Sequence, residues 1–299
     1  MAISLMPSAV ALGLFDGVHL GHRRVLELVL AQKSNGMRPS VFTFATESVG
    51  VKHDAALDYL YPTEQKCAML RECGMEHISH HPFAEICDME GEEFVREILV
   101  QRFAAGFVCC GEDFRFGRHA AWDTQDLRRF GAQYGFSVQT AKPVCVDGEI
   151  VSSSRIRSLL QCGEVSDAER LLGAPYSIEL EVVHGAQLGR TIGFPTMNQV
   201  FADGQLVPRF GVYASRTVID GVSYPSVTNV GRKPTVQYDG RPLAETYVIG
   251  AKGDFYGRTI PVELLDFIRP EQKFDSLEAL TAQLHKDLEI ARAYGVQSE

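Results

Sequence analysis

The spacing of apolar residues changes near residue 173, and the change constrains the fold of this chain more than any other feature. Up to about residue 173, short apolar runs alternate with stretches of helical period. The runs are Ala9–Phe15, Pro39–Phe44, His77–His81, Phe107–Cys110 and Ser137–Thr140. The helical stretches lie near Arg23–Lys33, Glu64–Cys73, Gly91–Arg102 and Thr124–Tyr134. Such alternation predicts a Rossmann-like α/β domain with a parallel sheet, whose ligand sits at the carboxyl ends of the strands. From Tyr176 the helical period disappears. Ile178–His184, Gly211–Ile219, Tyr224–Asn229, Ala244–Ile249 and Thr259–Phe267 read as strands. Asp220-Gly221, Asp239-Gly240 and Gly253-Asp254 read as turns, so this half is expected to be a small antiparallel β-barrel. Ser276–Tyr294 then predicts a long C-terminal helix with Leu277, Leu280, Leu284, Leu288 and Ala291 on one face and Ser276 as N-cap. A helix at Ser166–Leu172 would stop on Gly173, and Pro175 prevents its continuation. The expected domains are therefore residues 1–173 and 174–299.

Composition narrows the function classes. The 299 residues carry a net charge of −9, so no general basic field favours a nucleic acid or an anionic membrane surface. Any phosphate site must be built locally. The seven cysteines are odd in number and include no CxxC, which suggests a reducing cytoplasm, with Cys109 and Cys110 as buried strand positions. Met1–Phe15 is apolar but lacks basic residues ahead of its apolar run, so it is expected to be the first core strand rather than a signal peptide. No run approaches membrane-span length. Nothing in the sequence specifies an oligomeric state.

Gly13-Leu14-Phe15-Asp16-Gly17-Val18-His19-Leu20-Gly21-His22 lies between the first strand and the first helix. It delivers two imidazoles to a helix N-terminus, where free N–H groups and the helix dipole attract phosphates. Gly111-Glu112-Asp113-Phe114-Arg115-Phe116-Gly117 follows a later strand. Ser152-Ser153-Ser154-Arg155-Ile156-Arg157 opens another helix and reads equally as an anion clamp or as a plain serine cap.

In this order and at these distances, the three stretches resemble the FMN adenylyltransferase module of the bacterial bifunctional riboflavin kinase/FAD synthetase family, a nucleotidyltransferase with the HxGH signature. The second half resembles that family's kinase module. The carrying residues are Val183-His184-Gly185-Ala186-Gln187-Leu188-Gly189-Arg190-Thr191-Ile192-Gly193-Phe194-Pro195-Thr196-Met197-Asn198, then Gly211-Val212-Tyr213-Ala214, Asn229-Val230-Gly231-Arg232-Lys233-Pro234-Thr235, Tyr256-Gly257 and Arg269-Pro270-Glu271-Gln272-Lys273-Phe274. The resemblance implies phosphorylation of riboflavin to FMN by ATP, then adenylylation of FMN to FAD with release of pyrophosphate. ATP is the co-substrate, riboflavin, FMN and FAD are the flavins, and Mg²⁺ is the metal.

The residues can perform this chemistry. No GxxxxGK[ST] loop is present, so another phosphate cradle is needed, and Gly185, Gly189 and Gly193 permit close backbone approach. Thr196 and Asn198 offer hard oxygens suited to Mg²⁺. Glu245 is the candidate general base, tipped from an ordinary solvated strand glutamate by its match to the family's catalytic glutamate. The resemblance assigns flavin or nucleotide contacts to Arg190, Pro195, Asn229, Arg269 and Phe274, and to Gly13, Phe15, Asp16, Gly17, Asp113, Ser152, Ser153, Arg155 and Arg157. His19 and His22 would stabilise charge on the α-phosphate and leaving group.

Three departures stand out. Thr43-Phe44-Ala45-Thr46-Glu47-Ser48 replaces the family's TFxPHP, removing a histidine and adding a carboxylate. Trp122 replaces a glycine, and Tyr247 replaces a frequent histidine. They leave two alternatives: a riboflavin kinase with a degenerate first domain, or a non-catalytic flavin or nucleotide sensor. His77, His80 and His81 are expected at a strand end near the surface rather than in a metal site.

Overall fold

The five apolar runs of the first half pair into one sheet. The computed structural model describes residues 6–49, 58–185, 189, 193–232 and 240–295, and its contacts divide the chain into two units, Met1–Ser153 and Ser154–Glu299. In the first unit β1 (Ser8–Leu12), β2 (Arg38–Phe44), β3 (His77–His81), β4 (Ala105–Gly111) and β5 (Ser137–Ala141) form a parallel sheet in the order β3-β2-β1-β4-β5. Strand order reverses between β1 and β4, which opens a crevice at their carboxyl ends. β1 is buried throughout, as a central strand covered on both faces must be. Its side chains alternate between two apolar layers. Val10 and Leu12 join Ile98, Leu99 and Val108, while Ala9 and Ala11 join Val25, Leu26 and Val29. Cys109 and Cys110 face opposite layers, and burial pushes both thiols up to about 12.

Helices α1 (Leu20–Leu30), α3 (Thr63–Glu72), α5 (Gly91–Phe94) and α6 (Thr124–Tyr134) fall where the helical period predicts them. Two single turns, α2 (Thr46–Val49) and α4 (Phe83–Ile86), carry too few residues to show a period. α1 starts at Leu20, earlier than expected, because His19 caps it. After α5 the chain continues as a π-helix over Val95–Arg102. A hairpin of β6 (Cys145–Val146) and β7 (Glu149–Ile150) is likewise too short for a pattern.

α7 (Ser153–Cys162) leads into the second unit, and α8 (Val165–Leu172) ends on Gly173 with φ 78°. β8 (Tyr176–Val183), β9 (Met197–Val200), β10 (Gly211–Ile219), β11 (Val222–Arg232), β12 (Pro242–Val248) and β13 (Thr259–Arg269) close a barrel in the order β10-β11-β12-β9-β8-β13. The Asp220-Gly221 turn has φ 52° and 78° between paired Ile219 and Val222, as a tight hairpin requires. Asp239 lies outside the described residues. Apolar patterning misses β9, because its buried positions include Asn198 and Gln199, the latter donating from Nε2 to the carbonyls of Leu180 and Ile260. The C-terminal helix (Leu277–Gly295) packs Leu288 and Ala291 against Val212, Ala214 and Val227. Ser276 Oγ accepts from Ala279 N at 3.2 Å. Leu277, expected on the buried face, is 64% exposed because it stands at the helix start.

Two candidate sites

Beyond β1 the chain turns through Gly13–His19 with Phe15 and Val18 at φ 52° and 41°. Side chains avoid this region, β-branched ones most of all, and each residue held there costs about 1–3 kcal/mol. Several bonds fix the turn. Thr43 Oγ1 donates to Leu14 O at 2.9 Å, Asp16 Oδ1 accepts from Leu60 N at 2.9 Å, and Ser153 Oγ donates to Asp16 O at 2.8 Å. Arg23 Nε donates to Val18 O at 3.2 Å.

The turn ends on His19, whose Nδ1 accepts from His22 N at 3.3 Å and so caps α1. The two imidazoles stack at 3.6 Å between centroids, 16° from parallel, with Phe15 edge-on to His22 at 5.3 Å. Burial, then the charges of His19 and Lys66, hold His22 well below its usual pKa. Its Nδ1 is buried without a hydrogen-bond partner, an unmet polar atom at a helix N-terminus.

The other predicted residues of this site fall as follows. Ser152 is half-buried just before α7, and Ser153 begins it. Arg155 and Arg157 lie on α7, half-buried. Asp113 is exposed after β4. Glu47, expected to burden a phosphate site, is turned to another use. Its carboxylate accepts from Thr63 Oγ1 and, at 2.8 Å, from Thr63 N, the first residue of α3. Partial burial pushes this carboxyl up, but the Thr63 hydroxyl and amide outweigh that and hold it below its usual range. Trp122 is also accommodated. A Cβ on Gly91 or Gly117 would stand 2.4 Å from its ring, so two glycines form its socket. Periodicity misses Lys66, a lysine inside the buried stripe of α3 with Thr63 and Leu70. Its place in that stripe is the signal that could have found it.

In the barrel, Glu245 on β12 pairs directly with Asn198 on β9 and Asn229 on β11. Directly paired residues share a sheet face, so the three form one row. Thr246 faces the other way and shares a hydrogen bond with Thr228 at 2.9 Å, in a buried chain of hydroxyls through Ser215, Ser226 and Thr217. Asn198 is 6% exposed. Gly185 packs onto its amide, and a Cβ there would lie 2.6 Å from Nδ2. A Cβ on Gly189 would lie 2.1 Å from Phe194 O. The chain's own close approaches thus require both glycines. Gly193, at φ 84°, joins Pro195, Thr196, Tyr247, Phe255 and Tyr256 in lining a cavity of about 580 Å³. Thr196 opens onto this cavity, whereas Asn198, Glu245 and Asn229 do not line it. Arg190 lies outside the described residues.

Arg269, expected to contact flavin, commits its guanidinium to Asp287 of the C-terminal helix through Nε at 3.1 Å and Nη2 at 2.8 Å. It also lies 5.7 Å over the Phe274 ring. Asn229 Nδ2 donates to Glu271 Oε1 at 3.4 Å, which ties the following segment to the row.

Comparison with known proteins assigns a family model to each half of the chain. A family model described as riboflavin kinase matches residues 172–295, and one described as FAD synthetase matches residues 3–155. The bifunctional riboflavin kinase/FMN adenylyltransferase of Escherichia coli (strain K12) is 35% identical over 289 residues, covering 95% of this chain and 92% of that protein. Its counterpart in Listeria monocytogenes serovar 1/2a is 31% identical over 296 residues, covering 97% and 93%. A solved structure described as a macrolide-efflux protein from Streptococcus pneumoniae superimposes with TM-score 0.83 at 29% identity, over 97% of this chain and 96% of that one. Among the described residues no helix is long and apolar enough to cross a membrane. On the family models and the relatives together, the chain belongs to the bifunctional riboflavin kinase/FMN adenylyltransferase family.

Proposed function

We propose that this chain converts riboflavin and ATP to FMN, then FMN and a second ATP to FAD and pyrophosphate. One observation carries the reading: each half of the chain matches its own family model, and the chain aligns almost end to end with bifunctional relatives. The functional division we propose follows the sequence, with residues 1–173 carrying adenylyl transfer and 174–299 carrying phosphorylation.

In the kinase reaction the riboflavin 5′-hydroxyl oxygen bonds to the γ-phosphorus, the β,γ-bridging P–O bond breaks, and ADP leaves. Glu245 accepts the hydroxyl proton. Positioning matters more than basicity in phosphoryl transfer, and the row Asn198–Glu245–Asn229 supplies it on three rigid strands. The Thr196 hydroxyl and the Asn198 side-chain oxygen, both hard donors, suit Mg²⁺, which when bound neutralises phosphate charge. The cavity beside Thr196 and Tyr256 would take the nucleotide.

In the second reaction an ionised FMN phosphate oxygen attacks the α-phosphorus and the α,β P–O bond breaks. No protein base is required. His19, His22 and the α1 N-terminus hold charge that develops on the α-phosphate and pyrophosphate, and Ser152, Ser153, Arg155, Arg157 and Asp113 are assigned to phosphate and nucleotide. We read the odd number of cysteines without a CxxC pair as fitting a reducing, cytoplasmic setting.

Loss of Pro-His-Pro at Thr43–Ser48 keeps the kinase-only reading open as the second choice. Purified protein with riboflavin, ATP and Mg²⁺, its products separated by chromatography, decides. FMN followed by FAD is expected. FMN alone supports the kinase-only reading, and neither product would overturn both in favour of a sensor.

A further inference from the structure

Neither reaction as described above uses Lys66. This lysine on α3 is 1% exposed. Its ammonium donates to Phe44 O at 2.7 Å, Leu14 O at 3.2 Å and Thr43 Oγ1 at 3.3 Å. Thr43 and Phe44 end β2, and Leu14 stands two residues beyond β1. One buried cation therefore clamps the carboxyl ends of two neighbouring strands, on the edge of the sheet where the candidate site lies.

Leu14 opens the turn that holds Phe15 and Val18 at positive φ. Such conformations persist only where the surroundings over-determine them. Asp16 is held through Leu60 and Ser153, and Leu14 is held by Thr43 and Lys66. The turn finishes at His19, which caps α1, and His22 stacks on His19. Carrying a charge into this interior is costly, and apolar substitutes for buried ions are often tolerated or stabilising. A cation kept here is better explained by what it does for the site. The charged groups that act on it are Asp16 on the turn, Cys67 on its own helix and Glu47 on α2, and it acts in turn on His22 of α1.

Resting on the adenylyltransferase reading of the first unit, we propose that Lys66 is a positioning residue for adenylyl transfer. Its ammonium locks the turn that presents His19 and His22, and sets a fixed positive charge within electrostatic reach of the phosphate site. Burial lowers its pKa to about 8, so this charge is lost in mildly alkaline solution.

The test uses full-length protein and the Lys66→Met and Lys66→Arg variants. Each is given FMN and ATP to follow FAD, and separately riboflavin and ATP to follow FMN. Loss of geometry and charge at the reacting centre should lower kcat for FAD formation ~100-fold in Lys66→Met, with the KM for ATP largely kept. Lys66→Arg, which retains the charge, should recover at least ~10-fold over Lys66→Met. Riboflavin phosphorylation should be unchanged in both. In the unsubstituted protein, kcat/KM for FAD formation should fall above pH about 8, the lowered Lys66 value. Lys66→Arg should lose that limb. Wild-type FAD rates in Lys66→Met, a loss confined to KM, or an arginine variant no better than methionine would each overturn the proposal. Should Lys66→Met not fold, the pH limb and its absence in Lys66→Arg decide alone. No FAD from the unsubstituted protein would instead overturn the reading of the first unit.

Discussion

His22 combines an unpartnered buried nitrogen with a pKa driven down by burial and by the charges of His19 and Lys66. Replacing it with alanine should remove a stabilising contact made as charge develops on phosphate, and lower FAD formation by about 10²–10³. FMN formation measured on the same sample should not change. The lowered pKa also has a stability consequence. Below its ordinary value of 6.5 the unfolded chain takes up a proton that the folded His22 refuses, so stability present above that pH is lost as pH falls. His77 and His81, lowered chiefly by burial too, act in the same direction. Unfolding followed from pH 7 to pH 5 should therefore show weakening that His22→Gln reduces but does not abolish. In the barrel, Glu245→Gln keeps the size and the strand register while losing the base. Phosphorylation of riboflavin should fall about 10²-fold, with FAD formation from supplied FMN intact. Wild-type phosphorylation in that variant would exclude Glu245 as the base.

Elements were legible where many residues share one pattern. β3, α6 and β10 fall at the expected residues, and for α6 and β10 the reason is a pattern carried over many residues with a clear stop. β9 was not, since its buried Asn198 and Gln199 answer to hydrogen bonds and register rather than to apolar burial. His19 as a cap escaped notice because an imidazole performs what Ser or Asp usually does. Resemblance marks Glu47 and Trp122 as misfits, yet Glu47 answers to Thr63, 16 residues away, and half of the Trp122 socket is Gly91, 31 residues away, beyond any local pattern. The pairing of Arg269 with Asp287 was hidden for the same reason. This ion pair fastens the C-terminal helix to β13, with Asp287 fully buried, and Gln283 Nε2 donates to the same carboxylate at 2.9 Å. Asp287→Ala strands the arginine and should cost the barrel unit about 3–5 kcal/mol, read as a lowered denaturation midpoint. A midpoint within error of the unsubstituted protein would mean that the helix is held by its apolar face alone.

At the scale of the whole molecule, the resemblance located both chemistries, whereas tertiary contacts decide what each needs to fold. The family models leave residues 156–171 unmatched between them, and α8 occupies much of that interval. Its Val165, Ala168, Leu171 and Leu172 are almost fully buried, it packs on β8 and β13, and Ser166 Oγ donates to Leu265 O at 3.1 Å. Arg209 is tied to the same connection, donating from its backbone to Leu160 O at 2.9 Å and from Nη1 to Cys162 O at 3.2 Å. A fragment cut at 174 keeps every candidate kinase residue but exposes the barrel surface these helices cover. Burial of each larger aliphatic side chain is worth about 1.5–3 kcal/mol, so the three in α8 together are comparable to the whole margin of a marginally stable small domain. The fragment 154–299 should therefore unfold cooperatively and phosphorylate riboflavin, whereas 174–299 should melt well below it or aggregate. Equal melting temperatures and equal rates for the two fragments would show that α7 and α8 are a linker to the barrel rather than part of its core.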